Sequence, residues 1–536
     1  MTTISRAAEQ SWRNYHHTHE RSDVDVWSFG STGAVPGPIA ALQHSAALIG
    51  HMLGTVEAER TTLQTLGSAW SFSEIVAGSG ALVQSALENH IFALPPDLVG
   101  PAALHPDRMI LASAGTTVAQ LNRFLGTKLS LRTSGAHDGQ MLGGLLGTGT
   151  HGSVIGYGAF QNQVRGVHMV TDDGESWWIE RGPEPWLAAH AAADLATHVV
   201  LEEALFEATL VHLGGLGVVN AVLLEVDAGY LLDIVKVKRA LSTVEIAQLA
   251  AGEFKAFAKA CWPQTRETPY YVEVILDPFA PFAPYLGTPN PALITMFFKR
   301  EAAMIASPGA AQAMATGPTL SAPHEALNLL AGALDKQPEH NLMFPLPQAI
   351  AWLVAKEYRP EPAPGEAPRQ STWGAANGPH KKQSILGFEF ELFNAAFAIR
   401  REHLLDTLRT MLDAFHMNGG GHQVFTLRFV SHAAGLLAFT RFPETVVVNM
   451  DGARTSNSAV AAQNVALALE CAGIDFSQHW GKQGVITPNR FKREYGHPED
   501  AATPAGRWRA ARARLLARPA MRDVIVNDAL LGWNLA

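Results

Sequence analysis

A chain of 536 residues exceeds one ordinary domain, so two domains with ample core are expected. With 47% hydrophobic and only 17% charged residues it reads as a well-buried globular protein, not a disordered one, and a formal charge of -9 without a basic counterpart argues against nucleic acid as a partner. Cys261 and Cys471 require no disulfide framework, Met1 to His19 has no apolar core, and no apolar run reaches spanning length, so a cytoplasmic protein without an integral membrane segment is expected.

In chain order, the first distinctive segment is Trp12 to Glu20. Its His16, His17 and His19 lie close together, but no second cluster with ligand spacing follows and His-Glu-x-x-His is absent, so no metal site is expected. Pro38 to Leu53 reads as an amphipathic helix, and Thr61 to Leu66 as a strand emptying into Gly67-Ser68-Ala69-Trp70-Ser71. Such a turn exposes consecutive N–H groups, a geometry suited to a pyrophosphate. Arg108 to Gly115 reads as a strand and Thr117 to Leu125 as a short helix.

The chain is organised around the next stretch, Thr133 to Ser153. Seven of its residues are glycine, with Ser134, Thr150 and Ser153 among them, so the backbone can take φ > 0 and bring N–H groups against a large, partly anionic ligand. Val164 to Val170 and Ser176 to Glu180 are expected to form a hairpin through Asp173-Gly174, and Trp186 to Phe206 looks helical. Gly215-Leu216-Gly217 has a Gly-x-Gly spacing, but a β-rich run follows it instead of a helix, so a nicotinamide-binding turn is set aside.

Near Ala228 the character changes. Strands over Asp233 to Arg239, Tyr270 to Leu276, Leu293 to Lys299, Ile385 to Phe393 and Val424 to Val430, with a helix over Thr243 to Ala260, suggest an antiparallel sheet with helices on one side. The Pro- and Gly-rich stretch Glu357 to Gln383 reads as an exposed surface loop. Alternation puts Thr426, Arg428 and Val430 on one strand face, where an arginine is costly to bury without an anion or dipole to meet it. His479-Trp480-Gly481-Lys482 precedes the last helical segments, in which Arg507 to Arg518 reads as a solvated helix face.

Gly149-Thr150-His151-Gly152-Ser153 with Ser134-Gly135 before it, the Gly67 to Ser71 turn, the Phe425 to Val430 strand and the His479 to Lys482 tetrad follow one another within a span from about Trp12 to Asn527. In this the sequence resembles the vanillyl-alcohol-oxidase-type FAD flavoproteins, in particular the branch of sugar-lactone and alditol oxidases, with the sterol oxidases that share their fold. The resemblance implies an α+β fold. A PCMH-type FAD-binding domain would span 1–228, completed by 478–536, and an inserted α+β substrate (cap) domain on an antiparallel sheet would span 229–477.

The resemblance also implies a site. FAD would be held by Gly67, Ser68, Ala69, Trp70 and Ser71, by Ser134, Gly135, Gly143, Gly149, Thr150, His151, Gly152 and Ser153, and at its adenosine end by Val218 and Val219. Several relatives carry a flavin-bonded histidine at the position of Trp70; an indole is not expected to form that bond, so FAD is expected without a covalent link, and His151 is expected to serve the loop's structure. Arg428 and Lys482 would face the flavin, with His479 positioning Lys482 or taking a proton. The relatives' Glu-x-Arg is here Thr426-Leu427-Arg428, so the carboxylate for a substrate hydroxyl is missing, with Glu273, Glu389 and Glu391 as candidate substitutes.

The implied reaction is oxidation of a CH–OH group of a sugar lactone, alditol or related alcohol by hydride transfer to flavin N5, with O2 or another acceptor taking the electrons. Thr426 and the apolar run Ala433 to Phe439 keep a bulkier alicyclic or sterol alcohol open. A flavin-binding electron-transfer protein without alcohol oxidation also stays open.

Overall fold

The computed structural model describes residues 2–16, 18–31, 37–76, 81–84, 89–279, 291–301, 350–351, 354–355, 358–377, 392–417, 419–484 and 486–536. Among these residues three larger sheets organise the chain. The first has the order Thr2–Arg13, Glu20–Ser31, Ala81–Gln84, Leu63–Leu66. Its N-terminal hairpin was not legible in the sequence, because Thr2–Arg13 is largely exposed and lacks the alternation that marks a half-buried strand.

The second sheet has six strands in the order His198–Leu201, Glu175–Glu180, Val164–Asp172, Val218–Glu225, Met109–Ser113, Ile91–Ala93. Its three central strands are buried along their whole length and read as near-continuous apolar runs, since helices cover both faces. The helix Pro38–Ala58 packs Leu42 against Leu111 and Leu223 on one side. On the other side Val118 and Leu121 of the helix Val118–Leu125, with Leu142 and Leu145 of Leu142–Gly147, meet Ile110, Ala112 and Val222. The expected hairpin forms, with Gly166 to Asp172 paired to Glu175 to Glu180. The helix expected over Trp186 to Phe206 does not. Helices Ala189–Leu195 and Glu203–Thr209 flank a strand, His198–Leu201, whose Val199 and Val200 favour the extended state and extend the sheet in parallel with Trp177 to Glu180.

The third sheet has eight antiparallel strands, in the order Arg369–Ser371, Tyr230–Arg239, Ala292–Glu301, Tyr271–Leu276, Gln423–Ser431, Glu444–Ala453, Leu392–Arg400, Phe476–Gln478. Alternation divides its residues between two faces. Val272, Val274, Leu427, Phe429 and Val448 pack under helices Thr243–Ala251, Phe254–Cys261, Leu404–His416 and Ser456–Cys471. Tyr271, Phe297 and Val430 face the glycine-rich stretch and pack with Val154, Phe160 and Trp480.

The single helix expected over Thr243 to Ala260 is broken at Gly252, whose φ of 76° makes it a left-handed cap. The strand expected over Ile385 to Phe393 is described from Leu392 onward and runs to Arg400. Within the expected loop, Arg369–Ser371 joins the sheet and Trp373–Asn377 is helical, while 359–368 is loop. The arginine-rich helix Pro504–Leu515 is not wholly solvated, because Arg512 is buried and donates to the carbonyls of Arg522 and Ile525, both at 2.8 Å. Among the described residues no helix is long and apolar enough to cross a membrane, and no group of three His, Cys, Asp or Glu could hold a metal ion.

Candidate active site

One cavity runs between the glycine-rich stretch and the inner face of the eight-stranded sheet. Its first wall is the turn after Leu63–Leu66, lined by Gly67, Ser68, Ala69, Trp70 and Ser71. Ala69 holds φ 54°, and among the described residues the N–H groups of Ser68, Ala69 and Ser71 have no hydrogen-bond acceptor. Unpaired N–H groups at a cavity wall are donors waiting for an anion. Ser68 Oγ donates to Gly139 O at 2.6 Å, which ties this turn to the second wall. A Cβ on Gly67 would stand 3.2 Å from Met141 Cβ, so the walls approach where side chains are smallest.

Gly135, Gly143, Thr150 and His151 line the second wall, and Val218 and Val219 line the cavity beside Gly214. Ser134, Gly149, Gly152 and Ser153 do not reach the cavity but shape it from behind. Ser134 Oγ accepts the indole N–H of Trp373 at 3.0 Å, Gly149 turns the chain at φ 68°, and a Cβ on Gly152 would stand 2.5 Å from Thr133 Oγ1. Ser153 Oγ donates to Val272 O and accepts the Phe429 N–H at 2.8 Å, so it joins the glycine-rich stretch to two strands of the large sheet. Ser153→Ala would leave these buried backbone groups unpaired and is expected to cost about 1–3 kcal/mol, read as a lower urea midpoint.

Trp70 stacks face to face on Tyr15, with centroids 4.2 Å apart and planes at 6°, and His137 packs 5.1 Å from it. His16 stacks on Phe72 at 3.8 Å, and His19 Nε2 lies 3.0 Å from Phe72 O, so this histidine-bearing segment buttresses the Trp70 turn. His137 also lines the cavity, although nothing in its spacing singled it out in the sequence.

Charge concentrates on the wall formed by the large sheet. Strand register sets Glu273 opposite Arg428, Val424 opposite Asp451 and Asn394 opposite Asp451, and all five side chains line the cavity with Thr426. Arg428 Nε donates to Glu273 Oε2 at 2.8 Å, and Tyr271 OH donates to the same oxygen at 3.1 Å. Burial works against the Arg428 cation, but the Glu273 carboxylate more than offsets it and holds the guanidinium charged. Glu389 and Glu391 lie outside the described residues.

Lys482 enters from the tetrad. Its burial pulls the amine down to about 8, with Asp451 opposing that fall and Arg428 adding to it. The tetrad is anchored by Trp480, which is buried, donates to Leu437 O at 2.8 Å and packs against Tyr495 and Trp533. Gly481 O accepts the Phe72 N–H at 2.8 Å, which brings the tetrad against the Trp70 turn. Burial holds His479 well below its ordinary range, and its Nδ1 accepts the Gly481 N–H at 2.9 Å, which assigns the ring proton to Nε2. It is thus a neutral donor, and its carbonyl accepts the Lys482 N–H at 3.1 Å. His151 has the opposite tautomer, with Nδ1 donating to Gly152 O at 2.9 Å, and burial pulls it down to about 3.

Residues 55–180 match the family described as FAD binding domain. The chain carries an FAD-binding domain. The chain aligns at 30% identity over 125 residues with D-arabinono-1,4-lactone oxidase from Eremothecium gossypii, 23% of each chain. A second alignment gives 28% over 138 residues with L-gulonolactone oxidase from Scyliorhinus torazame, 26% of this chain and 27% of that one. The chain thus matches these relatives over 23% and 27% of their own length.

The whole fold is similar to cholesterol oxidase from B. sterolicum, with a TM-score of 0.66 and 11% identity over 99% of this chain and 97% of that one. It is also similar to a solvent-stable cholesterol oxidase, at 0.63 and 14% over 98% of both chains. The expected α+β class, a PCMH-type FAD-binding domain with a second unit built on an antiparallel sheet, is borne out. The cavity fits FAD on its own chemistry, since the unpaired N–H groups of Ser68, Ala69 and Ser71 suit a pyrophosphate and the glycine-lined walls leave depth for a planar ring.

Proposed function

We propose that the chain is an FAD-dependent oxidoreductase that oxidises a CH–OH group of a sugar lactone, alditol or related small alcohol. The carrying observation is the convergence of Arg428 and Lys482, two half-buried cationic side chains, on one cavity that the FAD-binding domain shares with the large sheet. In this reading residues 1–228 with 478–536 hold FAD and 229–477 form the substrate unit. Gly67 to Ser71 hold the pyrophosphate, Gly135, Gly143, Thr150 and His151 line the rest of the bed, and Val218 and Val219 meet the adenosine end. When bound, FAD supplies the hydride acceptor, and O2 or another acceptor takes the electrons onward.

The chain's own residues do the rest. As hydride leaves the carbinol carbon, negative charge grows on the acceptor, and fixed cations in a buried cavity stabilise it without reorganisation. Arg428 and Lys482 supply that charge, while His479 holds Lys482 through its carbonyl and offers an N–H to the cavity. FAD is held without a covalent bond, because an indole, Trp70, occupies the attachment position. Acid precipitation is therefore expected to release all of the yellow chromophore, whereas flavin mass retained on the denatured chain would overturn this point.

The test of the function is anaerobic mixing of the yellow protein with alditols, sugar lactones and alicyclic or sterol alcohols, followed by loss of oxidised-flavin absorbance. Bleaching by polyols or lactones supports the reading. Bleaching by the apolar alcohols only transfers the assignment to that class, and reduction by dithionite but by no alcohol replaces it with electron transfer.

A further inference from the structure

We propose that Asp451, braced by Asn394, is the carboxylate that holds a substrate hydroxyl, and that the site thereby selects alcohols bearing a second hydroxyl near the reacting one. The inference rests on the alcohol-oxidising reading and names a specificity residue within it.

Two carboxylates line the cavity among the described residues, Glu273 and Asp451. Glu273 is engaged, since its Oε2 already accepts from Arg428 Nε and Tyr271 OH. Asp451 takes a single side-chain hydrogen bond, from Asn394 Nδ2 to Oδ1, and among the described residues Oδ2 has no hydrogen-bond partner. Asn394 Oδ1 is buried and also unpartnered. Both oxygens belong to side chains that line the cavity, on adjacent strands in direct register. Two neighbouring acceptors without donors form a receptor for O–H groups, and a carboxylate accepts from up to about four directions.

A polyol or hydroxylated lactone satisfies them; a monohydroxy alicyclic alcohol leaves them unpaired, which disfavours its binding. Sites built to bond a hydroxyl reject the analogue that lacks it for this reason. Thr426 on the neighbouring strand supplies no charge, so the adjacent strands Glu444–Ala453 and Leu392–Arg400 carry the acceptor function instead.

The test uses the FAD-loaded full chain and the variants Asp451→Asn and Asp451→Ala, with xylitol, D-arabinono-1,4-lactone and cyclohexanol as probes. Half-saturating concentrations come from anaerobic flavin bleaching and from the spectral perturbation on binding. Binding of xylitol and the lactone is expected to weaken by roughly 10–100-fold in both variants, with FAD content and dithionite reduction kept and binding of cyclohexanol, read by spectral perturbation, weakened far less. Because the Asp451 charge supports the Lys482 cation, the alkaline limb of flavin reduction also moves to lower pH, which a purely structural role would not produce. Unchanged polyol affinity in both variants, or equal weakening toward cyclohexanol, overturns the assignment while leaving alcohol oxidation standing. A wild-type flavin that no alcohol reduces overturns the underlying reading itself.

Discussion

Replacing Arg428 by alanine is expected to slow anaerobic flavin reduction by roughly 10²–10³-fold while FAD remains bound, the loss seen when one donor to developing charge is removed. The guanidinium is rooted in the Gln423–Ser431 strand, is half-buried, and is held by Glu273 across the Glu273–Arg428 register pair. That partnership complicates the simple variant. Removing the cation leaves the Glu273 carboxylate buried, with the Tyr271 hydroxyl as its remaining hydrogen-bond donor among the described residues, and an uncompensated buried charge costs about 3–5 kcal/mol of stability. The double variant Arg428→Ala/Glu273→Gln removes the orphaned charge and separates the two effects. If catalysis needs the cation, the double variant recovers stability but not rate. Wild-type reduction kinetics in either protein would take Arg428 out of the mechanism.

The frame of the fold was legible because its strands are either buried on both sides or cleanly alternating. Met109–Ser113, Val164–Asp172, Val218–Glu225 and Gln423–Ser431 all fall where apolar runs or period-two alternation put them. Elements that failed did so for local reasons, such as the left-handed break at Gly252 and the short edge strand His198–Leu201 hidden in an Ala-rich context. The glycine-rich stretch announced a ligand cradle, but sequence could not tell its inner face from its back. Thr150 and His151 meet the cavity, while behind it Ser134 accepts the Trp373 indole N–H and Ser153 bonds two strands of the large sheet. Asp451 and Asn394 were invisible for a related reason. The strand Glu444–Ala453 was not anticipated, and only its register against Gln423–Ser431 and Leu392–Arg400 brings those two polar groups to the wall that Arg428 occupies.

Lys482 makes the second large prediction, and its sign follows from burial. Desolvation disfavours the ammonium and pulls the amine from its ordinary range to about 8, so the cation is present below that pH and lost above it. If the cation stabilises charge growing on the flavin, the rate of flavin reduction should be level below about pH 8 and fall up to tenfold per unit above it. Lys482→Arg keeps a guanidinium charged throughout and should push the falling limb upward, with some loss of rate from altered geometry. Lys482→Met matches the length without the charge; it should remove the limb and leave a pH-independent rate about 10²-fold lower. Arg428 cannot produce this limb, because its neighbours hold it charged far beyond the range, and His479 cannot, because burial keeps it neutral. Stopped-flow flavin reduction between pH 6 and about 10 in the three proteins reads all of this directly. A falling limb that survives unchanged in Lys482→Met would assign it to another group and leave Arg428 as the cation the reaction depends on.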